Sequence, residues 1–251
     1  FTSATVTVSN SFDHFNHSVG LDRLPKGSFS CVQLESSYNF QENMAVVVAG
    51  DIPDPRDRDA YLAAMENLLV DVHMAMGGST LTLFTNRRDM EDLYGRVEPR
   101  LSRQGLELAC QLRGTSVKRL RDRFLSEESS SLFALKAFWE GFDASGATLR
   151  CVVIPKLPFA NPTEPLSCER NVREERAWAK YSLPDAVLEV KQAAGRLIRT
   201  STDRGVLVLA DSRLLSKGYG KKFLSSLPSQ FQRIDAEQVG RYIKLWRASH
   251  E

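Results

Sequence analysis

A glutamine and two arginines in the segment 185–199 have the types and spacing to bind phosphate. The apolar spacing of this segment predicts a helix, at about 100° per residue. Gln192, Arg196 and Arg199 then share one side, and the opposite side carries Val187, Val190, Ala194 and Leu197. An ordinary surface helix is also amphipathic, so the composition of the polar side carries the interpretation. Because paired guanidinium groups match phosphate oxygens, the segment predicts an outward-facing phosphate site.

Gly195 lies inside this predicted helix. A glycine within a helix costs about 0.5–1 kcal/mol relative to alanine. Its presence is easier to explain if a ligand approaches the backbone closely, so we expect Gly195 to belong to the same site.

Further polar residues follow predicted strands. Thr85, Asn86 and Arg87 come after a short β-rich run and offer hydroxyl, amide and basic donors near a helix start, which suits a nucleic-acid backbone. The segment 138–143, FWEGFD, interleaves aromatic residues with two carboxylates and a glycine, although its aromatic residues could also pack a loop onto the core. Ligand sites of parallel sheets lie beyond the carboxyl ends of the strands, so we expect the site there.

The elements that must position these residues alternate along the chain. The residue pattern predicts strands over 80–85, 106–112, 131–137, 149–154 and 205–210. It predicts helices over 59–76, 88–104, 117–125, 185–199 and 218–227. Strands separated by helices of this size are typical of an α/β fold, with a mostly parallel β-sheet flanked by helices on both faces.

Composition narrows the class of protein. The chain has 251 residues, of which 42% are apolar and 25% charged, as in ordinary globular proteins. No apolar run approaches the roughly 18–20 residues of a membrane span, so we expect no membrane partner. We expect buried, reduced thiols at Cys110 and Cys151, and hence a cytoplasmic protein. His14 and His17 have HxxH spacing without surrounding carboxylates or thiols, and we assign no metal site.

Basic residues are concentrated in two segments. Residues 112–126 carry five bases against one acid, and residues 191–222 carry eight against two. Such segments are ordinarily solvated surfaces, yet they also suit binding of polyanions. Within the first of them, Arg113 and Lys118 are our candidates for contacts with nucleic-acid phosphates.

Several short motifs occur in a fixed order. Residues 192–199 form QAAGRLIR, residues 138–143 form FWEGFD with Gly146 after them, and residues 156–159 form KLPF. The chain opens with FTSAT. The later positions that continue the pattern are Asp203, Arg204, Gly205, Asp211, Arg213, Tyr219 and Gly220. The whole set resembles the QxxGRxxR, FWEGxD…G…KLPF and TSAT motifs of the XPD/DinG branch of superfamily 2 helicases, most firmly over residues 79–227.

This resemblance implies an ATP-dependent DNA helicase that moves 5′ to 3′ along a single strand. The chain contains no GxxxxGK[ST] phosphate loop, no DEAH-type acidic box and no cysteine quartet. It therefore resembles the second RecA-like domain, residues 9–251, preceded by the tail of the first motor domain, residues 1–8. The resemblance implies that ATP and Mg²⁺ are bound mainly by that first domain, which is also where an iron–sulfur cluster could lie. The expected partners are the first domain and single-stranded DNA, in a bacterial cytosol.

The resemblance also assigns roles to residues. Arg196 and Arg199 would reach the γ-phosphate, and Gln192 would sense the nucleotide. The cofactor-binding residues would be Glu140, Gly141, Asp143 and Gly195. The nucleic-acid-binding residues would be Thr85, Asn86, Arg87, Arg113 and Lys118. The residues coupling the two domains would be Thr2, Ser3, Ala4 and Thr5.

Two other functions can be weighed against this one. A non-catalytic nucleic-acid-binding module could retain the fold, although binding alone does not require the Gln192, Arg196 and Arg199 set. An unrelated doubly wound nucleotide-binding enzyme lacks support, because no glycine-rich βαβ fingerprint is present. The chain begins at Phe1 without an initiator Met, so we expect a piece of a longer protein. Under any of these interpretations we expect the chain alone to hydrolyse no ATP.

Overall fold

The computed structural model describes residues 1–3, 5–138 and 148–250. Within them the strands form one seven-stranded sheet. The strands are β1 (Met44–Ala49), β2 (Thr80–Leu83), β3 (Leu108–Cys110), β4 (Ser131–Ala134), β5 (Cys151–Ile154), β6 (Gly205–Leu209) and β7 (Phe231–Ile234). The α-helices are α1 (Asp13–Ser18), α2 (Phe40–Asn43), α3 (Arg58–Met76), α4 (Arg87–Ser102), α5 (Val117–Ser126), α6 (Pro165–Arg173), α7 (Leu183–Ala194), α8 (Arg213–Ser216), α9 (Gly220–Leu224) and α10 (Ala236–His250). A π-helix, Trp178–Ser182, leads directly into α7.

The sheet is parallel throughout its described pairs, in the order β3-β4-β2-β5-β6-β1-β7. Its inner strands are buried, as in Met44–Ala49, where no residue is more than 7% exposed. Burial on both faces explains why this strand is a continuous apolar run rather than an alternating one. The predicted α/β fold, a RecA-like parallel sheet with helices on both faces, is confirmed.

Alternate residues of each strand supply two separate cores. In β1, Val46 and Val48 face the core that covers α5, α7, α8 and α9, whereas Val47 faces the core that covers α3, α4 and α10. This alternation follows from the two-residue period of a strand. Each helix layer is thereby held against one face of the same rigid sheet.

Several helices begin where the sequence supplies a cap. The side chains of Asp57, Asn86 and Ser116 accept hydrogen bonds from backbone N–H groups in the first turns of α3, α4 and α5. Helix α3 ends at Gly77, whose φ of 70° is the left-handed conformation that glycine adopts most easily. These caps account for helix boundaries close to the predicted ones.

Two elements after residue 227 were not predicted. Strand β7 adds to the sheet beside β1, and α10 packs on α3. Side chains of β7 are largely exposed, so its sequence lacks the apolar run that marks a buried strand. None of the described helices combines the length and apolar character that a bilayer crossing requires. Cys110 and Cys151 are buried free thiols, as predicted, while Cys31 and Cys168 are exposed and free.

Candidate functional site

Helix α7 ends before the two arginines. Its last residue is Ala194, and Gly195 forms the C-cap, so the prediction of one helix over 185–199 is wrong. Arg196, Leu197 and Ile198 are all buried in the turn that follows. Three consecutive buried residues cannot lie on one side of a surface helix. Gln192 therefore remains on the helix, while the guanidinium groups are carried by the following turn.

This turn, residues 195–204, is fixed at the edge where the strands begin, which we name the amino edge. The Asp203 carboxylate accepts hydrogen bonds from the backbone N–H groups of Arg199 and Thr200, both at 2.8 Å. The Asn43 amide, just before β1, donates to the carbonyl of Ser201 at 3.1 Å. Strand β6 then starts at Gly205, paired with Met44. The site expected beyond the carboxyl ends of the strands therefore does not include the arginines, because a helix that precedes a parallel strand returns the chain to the amino edge.

The two arginines differ in exposure. Arg196 is only 6% exposed, whereas Arg199 is of intermediate exposure. Gln192 is also half-buried. An amide and two guanidinium groups within eight residues form a donor set that suits anionic oxygens. Arg199 is the guanidinium that an incoming anion reaches with the least rearrangement of this domain.

Gly195 is exposed at the start of the turn. A methyl group there would meet the carbonyl oxygens of Lys191 at 3.5 Å and Gln192 at 3.7 Å, which are ordinary contacts. Its φ of −63° and ψ of −10° also suit any residue. Nothing in the described part of this chain requires glycine at this position.

The N-terminal residues lie against the end of α7. The Gln192 amide nitrogen is 3.4 Å from the hydroxyl of Thr5. Thr2 and Ser3 are exposed, and the Ser3 hydroxyl accepts a hydrogen bond from the Thr5 N–H at 3.2 Å. Ala4 lies outside the described residues. Of the four proposed coupling residues, the structure therefore brings Thr5 to Gln192.

A second set of predicted residues lies at the opposite edge, where the strands end, which we name the carboxyl edge. Thr85 is exposed after β2. The Asn86 side chain caps α4 by accepting from the Asp89 N–H at 2.8 Å, and the Arg87 guanidinium donates to the carbonyl of Gln111 at 2.9 Å. Asn86 and Arg87 thus have structural partners, whereas Thr85 is exposed.

Arg113 and Lys118 extend this set around the edge strand β3. Both are exposed, in the loop after β3 and in the first turn of α5. Helix α5 buries Leu120 and Phe124 and leaves its basic residues in solvent. The structure therefore places all five predicted nucleic-acid-binding residues at the carboxyl edge, away from the turn that carries the arginines.

The carboxyl edge also has an aromatic cluster, for which the sequence predicted no function. Phe159, Trp178 and Tyr219 contact one another with ring centroids 5.3–5.7 Å apart, and Trp178 is 43% exposed. Phe159 lies in the KLPF motif and Tyr219 among the later motif positions, so the sequence could have pointed to both residues. Trp178 belongs to no motif. Such a cluster offers a stacking surface for a planar ligand.

The ion pair Asp211–Arg213 supports the aromatic cluster. The Arg213 guanidinium lies 5.5 Å from the Phe159 ring centre and donates to the Asp211 carboxylate at 2.6 and 2.9 Å. Asp211 is fully buried and also accepts from the Leu157 N–H at 2.8 Å. Burial alone would lower the pKa of Arg213, but the adjacent carboxylate outweighs it and raises that pKa. The pair fixes the chain after β6 against the chain after β5.

The remaining predicted residues divide into two groups. Glu140, Gly141 and Asp143 lie outside the described residues. His14 and His17 have separate partners: the Asp185 carboxylate lies 2.9 Å from His14 Nε2, and the Asp22 carboxylate lies 2.6 Å from His17 Nδ1. Within the described ranges, no three His, Cys, Asp or Glu side chains converge as metal ligands.

Comparison with known proteins gives consistent matches. The ATP-dependent DNA helicase YoaA of Escherichia coli is 33% identical over 252 residues, covering 98% of this chain and 38% of YoaA. The ATP-dependent helicase DinG of Mycobacterium tuberculosis is 31% identical over 244 residues, covering 95% of this chain and 36% of DinG. The chain thus spans little more than a third of the length of these relatives.

A solved XPD helicase shares the fold. It superposes with a TM-score of 0.57 at 20% identity, over 76% of this chain and 35% of the helicase. Together with the DinG and YoaA relatives, this likeness confirms the resemblance to the XPD/DinG branch. The model of the helicase C-terminal domain family matches residues 69–230, which include β2 to β6 and the turn after α7. The chain therefore belongs to the helicase C-terminal domain family.

Proposed function

We propose that this chain is the C-terminal motor half of an ATP-dependent DNA helicase that moves 5′ to 3′ along a single strand. Residues 1–8 are the tail of the preceding motor domain, and residues 9–251 are the second RecA-like domain. The supporting observation is that two sets of polar residues, one suited to ATP and one to DNA, lie on opposite edges of one sheet. The amino edge presents the arginine-bearing turn, and the carboxyl edge presents basic and aromatic side chains.

At the amino edge, Arg199 and Arg196 stabilise the negative charge that develops on the transferring phosphoryl group. An arginine in this role raises the rate of phosphoryl transfer by about 10³–10⁵. Gln192, held beside Thr5, responds to the nucleotide from the last turn of α7. Asp203 supports the turn by binding two of its N–H groups, so that the backbone presents both arginines from a defined position.

The donor set at this edge fits ATP, because it combines two cationic groups and an amide. ATP supplies the reactive phosphoanhydride, with Mg²⁺ held mainly by the preceding domain. Glu140, Gly141, Asp143 and Gly195 complete this domain's side of the nucleotide site. Hydrolysis therefore requires both domains, and this chain by itself has no ATPase activity.

At the carboxyl edge, single-stranded DNA contacts Thr85, Asn86, Arg87, Arg113 and Lys118 through its phosphates. Bases stack on the exposed Trp178, which is supported by Phe159 and Tyr219. Stacking of this kind is worth about 1–3 kcal/mol per base and tolerates any sequence. Because ATP hydrolysis and DNA binding act on the same substrate complex, the protein works where the DNA is, in the cytoplasm.

The nucleotide role is tested by replacing Arg199 with alanine in the full-length protein. We expect DNA-stimulated ATPase activity to fall by about 10³-fold or more while the protein remains folded, as circular dichroism would show. Arg241→Ala, an exposed arginine on α10 that lies outside both proposed sites, is the matched control and should keep full activity. Arg196→Ala should lose both activity and stability, because Arg196 is buried. Retained activity in Arg199→Ala would refute the assignment, and DNA binding without any wild-type ATPase activity would indicate a non-catalytic binding module.

The DNA role is tested with this chain and a fluorescent oligonucleotide across a salt series. Lys118→Ala should weaken binding and reduce the slope of log affinity against log salt by about 0.7, the value for one phosphate contact on a single strand. Trp178→Ala should weaken binding by about tenfold with an unchanged slope, since stacking releases no counterions. Equal slopes in wild type and Lys118→Ala would exclude the proposed phosphate contact.

A further inference from the structure

Lys191, in the last turn of α7, makes an unusual contact for a helix-surface lysine. Its ammonium donates to the Thr7 hydroxyl at 2.9 Å and to the Thr7 carbonyl at 3.2 Å. Thr7 is only 4% exposed, and Lys191 itself is half-buried. Burial lowers the pKa of this lysine below its usual range. The Lys191 ammonium is therefore partly dehydrated, and its hydrogen bonds to water are replaced by hydrogen bonds to Thr7.

The contact lies next to the proposed catalytic set. Gln192, the following residue, is 3.4 Å from the hydroxyl of Thr5. Two consecutive residues of α7 thus hold two threonines of the same short segment. Val8, next to Thr7, is buried in the core that includes α7, and the Ser9 N–H donates to the Ser226 hydroxyl at 2.9 Å. Residues 5–7 are consequently held along the end of α7, immediately before the turn that carries Arg196, and Ser9 is held beside the end of α9.

A helix-stabilising role alone does not account for this geometry. A lysine near a helix C-terminus interacts favourably with the helix dipole while fully hydrated. Lys191 instead forms hydrogen bonds to Thr7 with two of its three N–H donors. The contact therefore fixes the position of the segment relative to α7.

We propose that Lys191 is a positioning residue for ATP hydrolysis, which holds residues 5–7 against the last turn of α7. This inference rests on the proposed function, in which the same segment continues the preceding motor domain. Lys191 acts through Thr7 and contacts no nucleotide. By fixing the segment, it sets the orientation of Gln192 and of the arginine-bearing turn relative to the domain that holds ATP.

The contact itself is tested by hydrogen exchange on this chain, independently of activity. The probes are the amides of Val8, bonded to the Ser11 carbonyl at 3.0 Å, and Ser9. Lys191→Met removes the charge at similar volume and should accelerate exchange at both amides by about tenfold or more, the effect of losing a charged hydrogen bond. Amides of β6 should be unchanged, which shows that the fold persists. Lys217→Met, an exposed lysine, is the control and should leave all rates unchanged.

The positioning role is tested by kinetics of the full-length protein. Lys191→Met should lower the kcat for ATP by about tenfold with KM for ATP within twofold of wild type, since orientation rather than nucleotide binding is lost. Lys191→Arg, which keeps a cationic donor, should recover part of the kcat. An unchanged kcat, or unchanged exchange at Val8 and Ser9, overturns the proposal.

The two proposals can fail separately. If Arg199→Ala is inactive while Lys191→Met has wild-type kcat, the inference about Lys191 is overturned and the proposed function stands. If Arg199→Ala keeps full ATPase activity, the proposed function fails, and the inference about Lys191 fails with it.

Discussion

Replacing Gly195 by alanine separates what the fold requires at this position from what a ligand requires. The added methyl group would lie 3.5 Å and 3.7 Å from the carbonyl oxygens of Lys191 and Gln192, and the backbone already has α-helical angles. The folded state therefore accepts alanine, while the unfolded chain loses conformational freedom. This predicts stabilisation by about 0.4–1 kcal/mol. For a chain of this size, the Tm should rise by roughly 1–4 °C.

The functional expectation is opposite in sign. Gly195 is exposed beside the turn that carries both arginines, so the new methyl group would project where the nucleotide is proposed to approach. A displacement of about 1 Å at a reacting centre costs up to about 100-fold in rate. We therefore expect kcat/KM for ATP in the full-length protein to fall at least about tenfold. Calorimetry of this chain and steady-state ATPase assays of the full-length protein measure the two effects.

Gly205→Ala is the matched comparison for Gly195→Ala. A methyl group on Gly205 would lie 2.8 Å from Leu197 Cδ2 and 2.9 Å from Leu197 Cβ, closer than these atoms can approach. Overpacking of this kind costs about 1–3 kcal/mol, so the Tm should fall. A lower Tm in Gly195→Ala would refute the geometry of the turn. Wild-type ATPase activity in Gly195→Ala would refute the inference that a ligand approaches this backbone.

Two further predictions concern stability. His73 is fully buried, within 2.9 Å of the Ser131 hydroxyl and 3.1 Å of the Thr82 hydroxyl, and burial lowers its pKa to about 3. As pH falls below about 6.5, the histidine of the unfolded state takes up a proton before the buried His73 of the folded state does, so the free energy of unfolding decreases. Between pH 6.5 and 5, urea denaturation should show a decrease about 2 kcal/mol larger in wild type than in His73→Gln. Equal decreases in the two proteins would contradict this. Asp211→Asn should lower the unfolding free energy by about 3 kcal/mol because it breaks a buried pair, whereas Asp54→Asn, whose partner Arg56 is exposed, should change it by less than about 0.5 kcal/mol.

Local patterns in the sequence predicted most of the central sheet and its helices. The helix predicted over 59–76 begins one residue earlier in the structure and ends at the predicted residue, because Asp57 and Gly77 provide caps that act over a few residues. The strands predicted over 149–154 and 205–210 are confirmed with shorter bounds. Their apolar residues could be recognised because a strand buried on both faces requires an uninterrupted apolar run.

The end of α7 could not be predicted in this way. The apolar spacing continues through Leu197, so the sequence pattern extends the helix to residue 199. In the structure, Leu197 contacts Gly205 on the neighbouring strand, and the carboxylate of Asp203 binds the N–H groups of Arg199 and Thr200. The Asp203 hydrogen bonds are local and hold a non-helical turn, whereas the packing of Leu197 beside Gly205 requires strand β6 to be in place.

The sequence alone determined the residue types that suit phosphate and nucleic acid, together with the family whose motifs they match. Only the tertiary structure decided where they lie: the arginines at the amino edge, and the basic and aromatic residues at the carboxyl edge. It also decided that Thr5 and Thr7 lie on Gln192 and Lys191, 184 or more residues away in the chain. Side-chain chemistry is a property of each residue, whereas proximity depends on crossovers of a parallel sheet, which bring distant segments to a common edge.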